Sequence, residues 1–150
     1  MANFKVLNTN HTGLTVSDID RSLAFYRDVL GFETTDKVHH KSEIVGTLTG
    51  VEGAEIFIAF VNLPGHQIEL LQYLKPNDRK LSDLRNCDTG ASHIALEVDD
   101  IDAVVEAIKV GGFEAFSAPI VVPAGPRKGG KNVYTRDPDG VVIEFQMAPK

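Results

Sequence analysis

Two histidines and two glutamates stand at corresponding places in two copies of one sequence pattern. They are His11, Glu69, His93 and Glu144. Two neutral imidazoles and two carboxylates suit a divalent transition metal, because the carboxylates cancel its charge, the ring nitrogens bind a borderline cation, and open positions remain for water or substrate oxygens. The alternative is four isolated polar side chains on the wet face of a sheet. The duplication of both residue types favours the metal site.

The repeat is clearest where each histidine opens a strand-like segment. His11–Asp20 aligns without gaps with His93–Asp102, and His, Leu, Val, Asp, Ile and Asp are in register. Further along, Ile68–Leu70 matches Ile143–Phe145, and each triplet places a glutamate between two apolar residues. The two halves of the chain are therefore expected to be copies of one structural unit.

Strand geometry predicts that the four polar side chains leave the same side of each unit. Side chains alternate between the two faces of a strand, so Ile94 and Leu96 point one way and His93 the other. The same alternation separates Glu144 from Ile143 and Phe145, and it separates Glu69 from its apolar neighbours. If the two units pair into one curved sheet, the four polar groups converge in its concavity.

Each unit is predicted to contain a strand, a helix and three further strands. The first helix has apolar residues at helical spacing and ends at Gly31, where a left-handed C-cap belongs. The second helix begins at a cap formed by Asp99 or Asp100 and ends at Gly111–Gly112. The later strands are expected at about 34–38, 55–61 and 67–71 in the first unit, and at about 114–116, 132–135 and 141–147 in the second.

The connecting segments carry turn and loop signals. Residues 75–89 are polar and are expected to link the units, with a short helix around 81–85. The Gly-, Pro- and Lys-rich segment 119–131 is predicted to be a mobile loop, and whether it is a lid stays open. Asp137–Gly140 has Pro second and Gly fourth, which is typical of a tight turn between the last two strands.

These elements predict an α+β protein of one domain, residues 1–150. If its two βαβββ modules pair, they form a curved, partly closed mixed sheet around a metal site, with the helices outside. Module 1 spans about 8–74, the connection 75–90 and module 2 about 91–148.

Composition and charge exclude several other classes of protein. The chain is 43% hydrophobic and 24% charged, which is typical of a globular domain rather than a disordered or fibrous one. Its longest apolar run, Ile56–Val61, is far shorter than the ~20 residues of a membrane helix. A net charge of −6 offers no overall attraction for nucleic acid or anionic lipid. The single Cys87 and an N-terminus without a secretory pattern predict a cytoplasmic location.

The sequence resembles the vicinal oxygen chelate superfamily, the group of glyoxalase I, methylmalonyl-CoA epimerase, fosfomycin-resistance enzymes, extradiol dioxygenases and bleomycin-resistance proteins. The resemblance covers nearly the whole chain. The segments that carry it are His11–Asp18, Phe25–Tyr26 before Leu30–Phe32, Ile68–Leu71, His93–Val98 and Asp137–Glu144.

The resemblance implies a metal that chelates two neighbouring substrate oxygens. Its ligands would be the four repeated residues, and the metal would be one divalent ion per site: Ni, Co, Zn, Mn or Fe. A set of four ligands resembles that of the isomerase branch of the superfamily. This resemblance implies a metal-dependent lyase or isomerase that acts through a metal-chelated enediolate. The activity would be like that of glyoxalase I (lactoylglutathione lyase) or methylmalonyl-CoA epimerase.

Two alternative functions stay open. Tyr134 and the segment Asp137–Glu144 resemble extradiol dioxygenases, but those enzymes use two His and one Glu as ligands and a further His normally precedes the tyrosine; Gly125–Arg127 occupies that stretch here. The other alternative is a metal-free small-molecule binding or resistance protein. Bleomycin-resistance proteins lack the metal residues that this chain has.

Five residues are expected to act in catalysis or substrate binding, and two of them are also proposed metal ligands. Glu144 and Glu69 are the candidate bases on opposite sides of the substrate, with Glu144 preferred as the principal base and Glu52 as an alternative. Arg127 and Lys131 are expected to bind a carboxylate or phosphate of the small-molecule substrate. The likeness also implies a homodimer, since related modules must cover their strand edges.

Overall fold

A computed structural model describes residues 3–150 of the chain. The helices are α1 (Ile19–Ala24, continued by a π-helical turn at Phe25–Val29), α2 (Glu43–Thr49) and α3 (Ile101–Val110). The strands are β1 (Thr12–Thr15), β2 (Glu33–Thr34), β3 (Val38–Lys41), β4 (Glu55–Leu63), β5 (His66–Lys75), β6 (His93–Glu97), β7 (Ile120–Val121), β8 (Lys131–Arg136) and β9 (Val142–Met147). This mixture of sheets and few helices confirms the α+β class.

The chain forms two compact units, each with its own sheet. The first unit contains the described residues up to Ile19 and Phe32–Asp78, and the second contains Asp20–Gly31 and Arg79–Lys150. The sheet of the first unit has the order β1-β5-β4-β2, with β3 also paired to β4; that of the second has the order β6-β9-β8-β7. Each hydrogen-bonded sheet therefore stays within one unit.

The two sheets share one topology, which confirms the repeat. β1 runs parallel to β5 with Gly13 opposite Glu69, and β6 runs parallel to β9 with Ala95 opposite Glu144. The next strand in each sheet is antiparallel. Parity places the polar residues on one face and apolar residues such as Leu70 on the other. We call the face that carries the His and Glu side chains the His–Glu face.

The first helix belongs to the second unit, although the predicted boundaries assigned it to module 1. The Phe25 ring packs edge-on against Phe113 with centroids 4.7 Å apart. The Tyr26 hydroxyl donates to Asp137 Oδ2 at 3.2 Å, and Arg21 forms an ion pair with Asp139 at 2.9 Å. These partners are distant in sequence, so local spacing predicts the helix but not the unit on which it packs.

Several local predictions are confirmed. Asp100 caps α3 by accepting hydrogen bonds from the backbone N–H groups of Asp102 and Ala103, both at 3.0 Å. Gly31 has a φ of +75°, as a left-handed helix end requires. The turn at Asp137 is closed by a 3.1 Å bond from the Gly140 N–H to the Asp137 carbonyl.

Other local predictions are wrong in detail. α2 was not predicted, and the strand expected at 34–38 is divided between β2 and β3. The short helix around 81–85 does not form; Leu81 is 81% exposed, so a helix there would bury no apolar side chain. The strand expected at 114–116 is an isolated bridge at Ala115.

The segment 119–131 is a short hydrogen-bonded hairpin rather than an open loop. β7 pairs with β8, and beyond it the backbone of Val122 exchanges hydrogen bonds with Gly129 and Gly130. A further bond runs from the Gly130 N–H to the Arg127 carbonyl at 3.0 Å. Across the described residues, no helix is both long and apolar enough to span a membrane.

Candidate metal centre

The first unit brings His11 and Glu69 together on its His–Glu face. His11 lies immediately before β1, and its Nε2 is 3.2 Å from Glu69 Oε2. The other ring nitrogen, Nδ1, is 2.7 Å from Asn10 Oδ1. The Phe60 ring stands edge-on to the imidazole, with centroids 6.1 Å apart.

The second unit repeats this arrangement with His93 and Glu144. His93 Nε2 is 3.3 Å from Glu144 Oε2, and the Tyr134 ring stands edge-on to the imidazole with centroids 5.8 Å apart. Tyr134 and Phe60 occupy the same register position, each opposite the glutamate of its own unit. These contacts agree with the expectation that the His and the Glu of each repeat leave the same face of their sheet.

The surroundings of the two glutamates differ. The Glu144 side chain is 7% exposed and that of Glu69 is 19% exposed. Glu144 Oε1 also accepts a 2.8 Å hydrogen bond from Asn132 Nδ2. Burial and a hydrogen bond to Glu144 raise the pKa of the Tyr134 hydroxyl. Glu144 is therefore the more firmly held of the two carboxylates.

The donor set fits a divalent metal ion. In each pair the Nε2 atom of the histidine faces an oxygen of the glutamate, at 3.2 Å in the first unit and 3.3 Å in the second. Imidazole nitrogen with carboxylate oxygen is a donor pair that Zn, Ni, Co, Mn and Fe accept. Within residues 3–150, no group of three or more His, Cys, Asp or Glu side chains is placed to hold a metal. The first unit also contains a His39–Glu55 contact of 3.0 Å, which is outside the repeated pattern. That all four residues bind one ion stays a prediction.

The two predicted substrate-binding residues have different environments. Arg127 lies in the hairpin, with Nη1 3.6 Å from Glu97 Oε2; its Nε and Nη2 atoms are buried and have no hydrogen-bond partner among the described residues. Lys131 faces the other side of the sheet, where its Nζ donates to Asp102 at 2.8 Å. Two donors of Arg127 are thus unpartnered but buried, whereas a ligand at Lys131 would compete with an existing ion pair.

Each unit also contains a cavity. One of about 350 Å³ lies in the second unit, and apolar side chains such as Phe116 and Ile120 line it together with Asn132 and Tyr134. It adjoins the His–Glu face through Asn132, which contacts Glu144. The other, of about 630 Å³, lies in the first unit and has Glu52 in its wall.

Asn132 is the polar neighbour that reasoning on the repeat missed. It has no polar counterpart in the other half, so a search for shared residues passes over it. Strand parity would have found it, because Asn132 lies two residues before Tyr134 and hence on the same face as Glu144.

Comparison with known proteins identifies the family. Residues 8–145 match the model of the Glyoxalase/Bleomycin resistance protein/Dioxygenase superfamily. The chain is 33% identical over 142 residues to a lactoylglutathione lyase of Haemophilus influenzae, covering 90% of this chain and 88% of that one. It is 29% identical over 143 residues to the mitochondrial methylmalonyl-CoA epimerase of Homo sapiens, covering 93% and 73%.

Solved structures show the same fold. A glyoxalase family protein from Bacillus cereus superposes with a TM-score of 0.85 over 100% of this chain and 99% of that one, at 22% identity. The repeated topology, the two His–Glu pairs and the match over residues 8–145 lead to one conclusion. The chain belongs to the Glyoxalase/Bleomycin resistance protein/Dioxygenase superfamily.

Proposed function

We propose that this protein is a metal-dependent lyase or isomerase that transfers a proton at a carbon next to a substrate carbonyl. The observation that carries the proposal is the pair of matching His–Glu contacts, 3.2 Å in the first unit and 3.3 Å in the second. The relatives support the reaction class, because one is named as a lyase of lactoylglutathione and another as an epimerase of methylmalonyl-CoA.

The metal would be held by His11, Glu69, His93 and Glu144. A bound divalent ion would supply Lewis-acid polarisation of the substrate carbonyl, which makes the neighbouring C–H bond more acidic. The donor chemistry of the two pairs supports one such ion: Ni, Co, Zn, Mn or Fe.

The two carboxylates would move the proton. A carboxylate beside the substrate accepts the proton from carbon, and a carboxylate on the opposite side returns one, so that a lyase uses mainly one and an epimerase uses both. Glu144 is the proposed principal base, and Glu69 is the second. Glu69 is the more exposed of the two, which suits exchange of its proton with solvent.

Substrate binding would involve the hairpin. The unpartnered Nε and Nη2 of Arg127 lie on one edge of its guanidinium, the arrangement that binds a carboxylate or phosphate through two parallel hydrogen bonds. Lys131 would bind the substrate only by exchanging its ion pair with Asp102 for one with the substrate.

The test combines metal analysis with a panel of substrates. The purified protein is loaded with each candidate metal in turn and assayed with two substrates. One is the hemithioacetal that glutathione forms with methylglyoxal, and the other is methylmalonyl-CoA. Turnover of one of them that disappears on chelation and returns with metal would support the proposal. Cleavage of a catechol that requires oxygen would favour a dioxygenase instead, and tight binding without metal or turnover would favour a binding protein.

The protein is also proposed to be a homodimer. Two variants that each lack one pair, His11→Ala/Glu69→Ala and His93→Ala/Glu144→Ala, then test where a site is formed. If the pairs that share a metal come from two copies, a mixture of the variants regains intact sites. If they come from one chain, the mixture stays inactive.

A further inference from the structure

Asn132 lies beside the glutamate of the second unit and is absent from the repeated pattern. We propose that Asn132 is a positioning residue that holds Glu144 in the orientation needed to bind the metal. The inference rests on the proposed function, since it assigns to Asn132 a part in building that metal site.

The hydrogen bond fixes which carboxylate oxygen remains available. Asn132 Nδ2 donates to Glu144 Oε1 at 2.8 Å, while the other oxygen, Oε2, lies 3.3 Å from His93 Nε2. Turning the amide around would put its oxygen against a carboxylate oxygen, so the donor must be the group that faces Glu144. Asn132 therefore engages Oε1, and Oε2 is the oxygen that faces His93.

The other end of the Asn132 amide forms no hydrogen bond that would account for an asparagine at this position. Asn132 Oδ1 is buried and accepts no hydrogen bond among the described residues. A buried acceptor without a donor is unfavourable for folding. The favourable contact of this amide is thus the one to Glu144.

The first unit shows what the fold uses at this position when no hydrogen bond is made. Asn132 lies two residues before Tyr134, and Ile58 lies two residues before Phe60 at the same register of the first sheet. An isoleucine is compatible with the strand at this position, but its side chain offers Glu69 no hydrogen-bond donor. The two glutamates are therefore unequal: Glu144 accepts a hydrogen bond from a donor at this register position, and Glu69 has no such donor there.

Loss of this bond should weaken metal binding through Glu144. Residues that orient a ligand typically contribute 10- to 100-fold to metal affinity. The variant Asn132→Leu keeps the approximate size and removes the donor. The matched control is Ile58→Leu, which makes an apolar change at the corresponding position of the other unit.

The experiment measures the affinity of each variant for Zn²⁺ and Ni²⁺ by competition with a chelator. Asn132→Leu should bind about 10- to 100-fold more weakly than wild type, and Ile58→Leu within about threefold of it. The effect should persist in the Glu69→Ala background and shrink to within about threefold in Glu144→Ala, where no carboxylate remains to be held. Equal losses in both backgrounds, or wild-type affinity in Asn132→Leu, would overturn the inference.

A second measurement needs no variant at Asn132. In the metal-free protein, exchange of the Asn132 side-chain amide protons with water should be faster in Glu144→Ala than in wild type and unchanged in Glu69→Ala. The same exchange rate in all three proteins would contradict the hydrogen bond. A wild-type protein that binds no divalent metal would refute the proposed function as well, which separates that failure from a failure of Asn132 alone.

Discussion

Replacing Glu144 by glutamine should separate its role as a base from its role as a ligand. Glutamine has the same length and keeps one oxygen. Placed beside His93, that oxygen can still bind the metal, but the 2.8 Å hydrogen bond from Asn132 is then lost because the NH2 group of the glutamine faces Asn132. The fold and part of the metal binding should therefore survive. The proton acceptor is lost, and we expect kcat to fall by about 10² to 10⁴, or about 3 to 5 kcal/mol of transition-state stabilisation.

The assay follows the substrate that turns over in the panel, with two readouts. One is turnover, and the other is exchange of the substrate proton with solvent deuterium, each beside metal content. The variant His93→Ala removes a nitrogen ligand and should lose both bound metal and activity. The variant Glu69→Gln should keep more activity if the enzyme is a lyase with one base than if it is an epimerase with two. If Glu144→Gln exchanged the proton at the wild-type rate, the base would lie elsewhere, with Glu69 or Glu52 as the better candidate.

Three further predictions concern the scaffold. Burial raises the pKa of Asp137, so the contribution of this residue to the free energy of unfolding should decrease as the pH rises above about 4, the ordinary pKa of a carboxyl group. The variant Asp137→Asn, whose amide can donate to the Tyr26 hydroxyl, should lack that part of the pH dependence when its unfolding is measured in urea. Gly111→Ala would place a Cβ 2.6 Å from a methyl carbon of Val29, so it should cost about 1–3 kcal/mol in thermal unfolding, largely recovered in Gly111→Ala/Val29→Ala. Light scattering at micromolar concentration should give twice the 16.3 kDa chain mass, and a monomer mass would remove the dimer proposal.

Local periodicity accounts for the part of the fold that could be predicted. Alternation along β6 and β9 placed His93 and Glu144 on one face, and the sheet register confirms it. Asp100 and Gly31 were recognised because helix ends require an acceptor or a left-handed residue at defined places.

Contacts between distant residues account for the rest. The first helix packs in the second unit because the rings of Phe25 and Tyr26 find partners there, more than 80 residues along the chain. Asn132 was missed because it differs between the halves, and a repeat reveals what the halves share. Whether the four repeated residues bind one metal depends on groups from both units, which sequence spacing alone does not determine.

The most direct test of the central claim is the metal content of the protein and of its two pair-deleted variants. Each protein is saturated with Zn²⁺ or Ni²⁺, separated from unbound metal and analysed by elemental mass spectrometry; the three proteins are wild type, His11→Ala/Glu69→Ala and His93→Ala/Glu144→Ala. Circular dichroism checks that each variant is folded. The account predicts about one divalent ion per wild-type chain and loss of that ion in both variants. Full metal content in a folded variant that lacks one pair, or no bound metal in wild type, would contradict it.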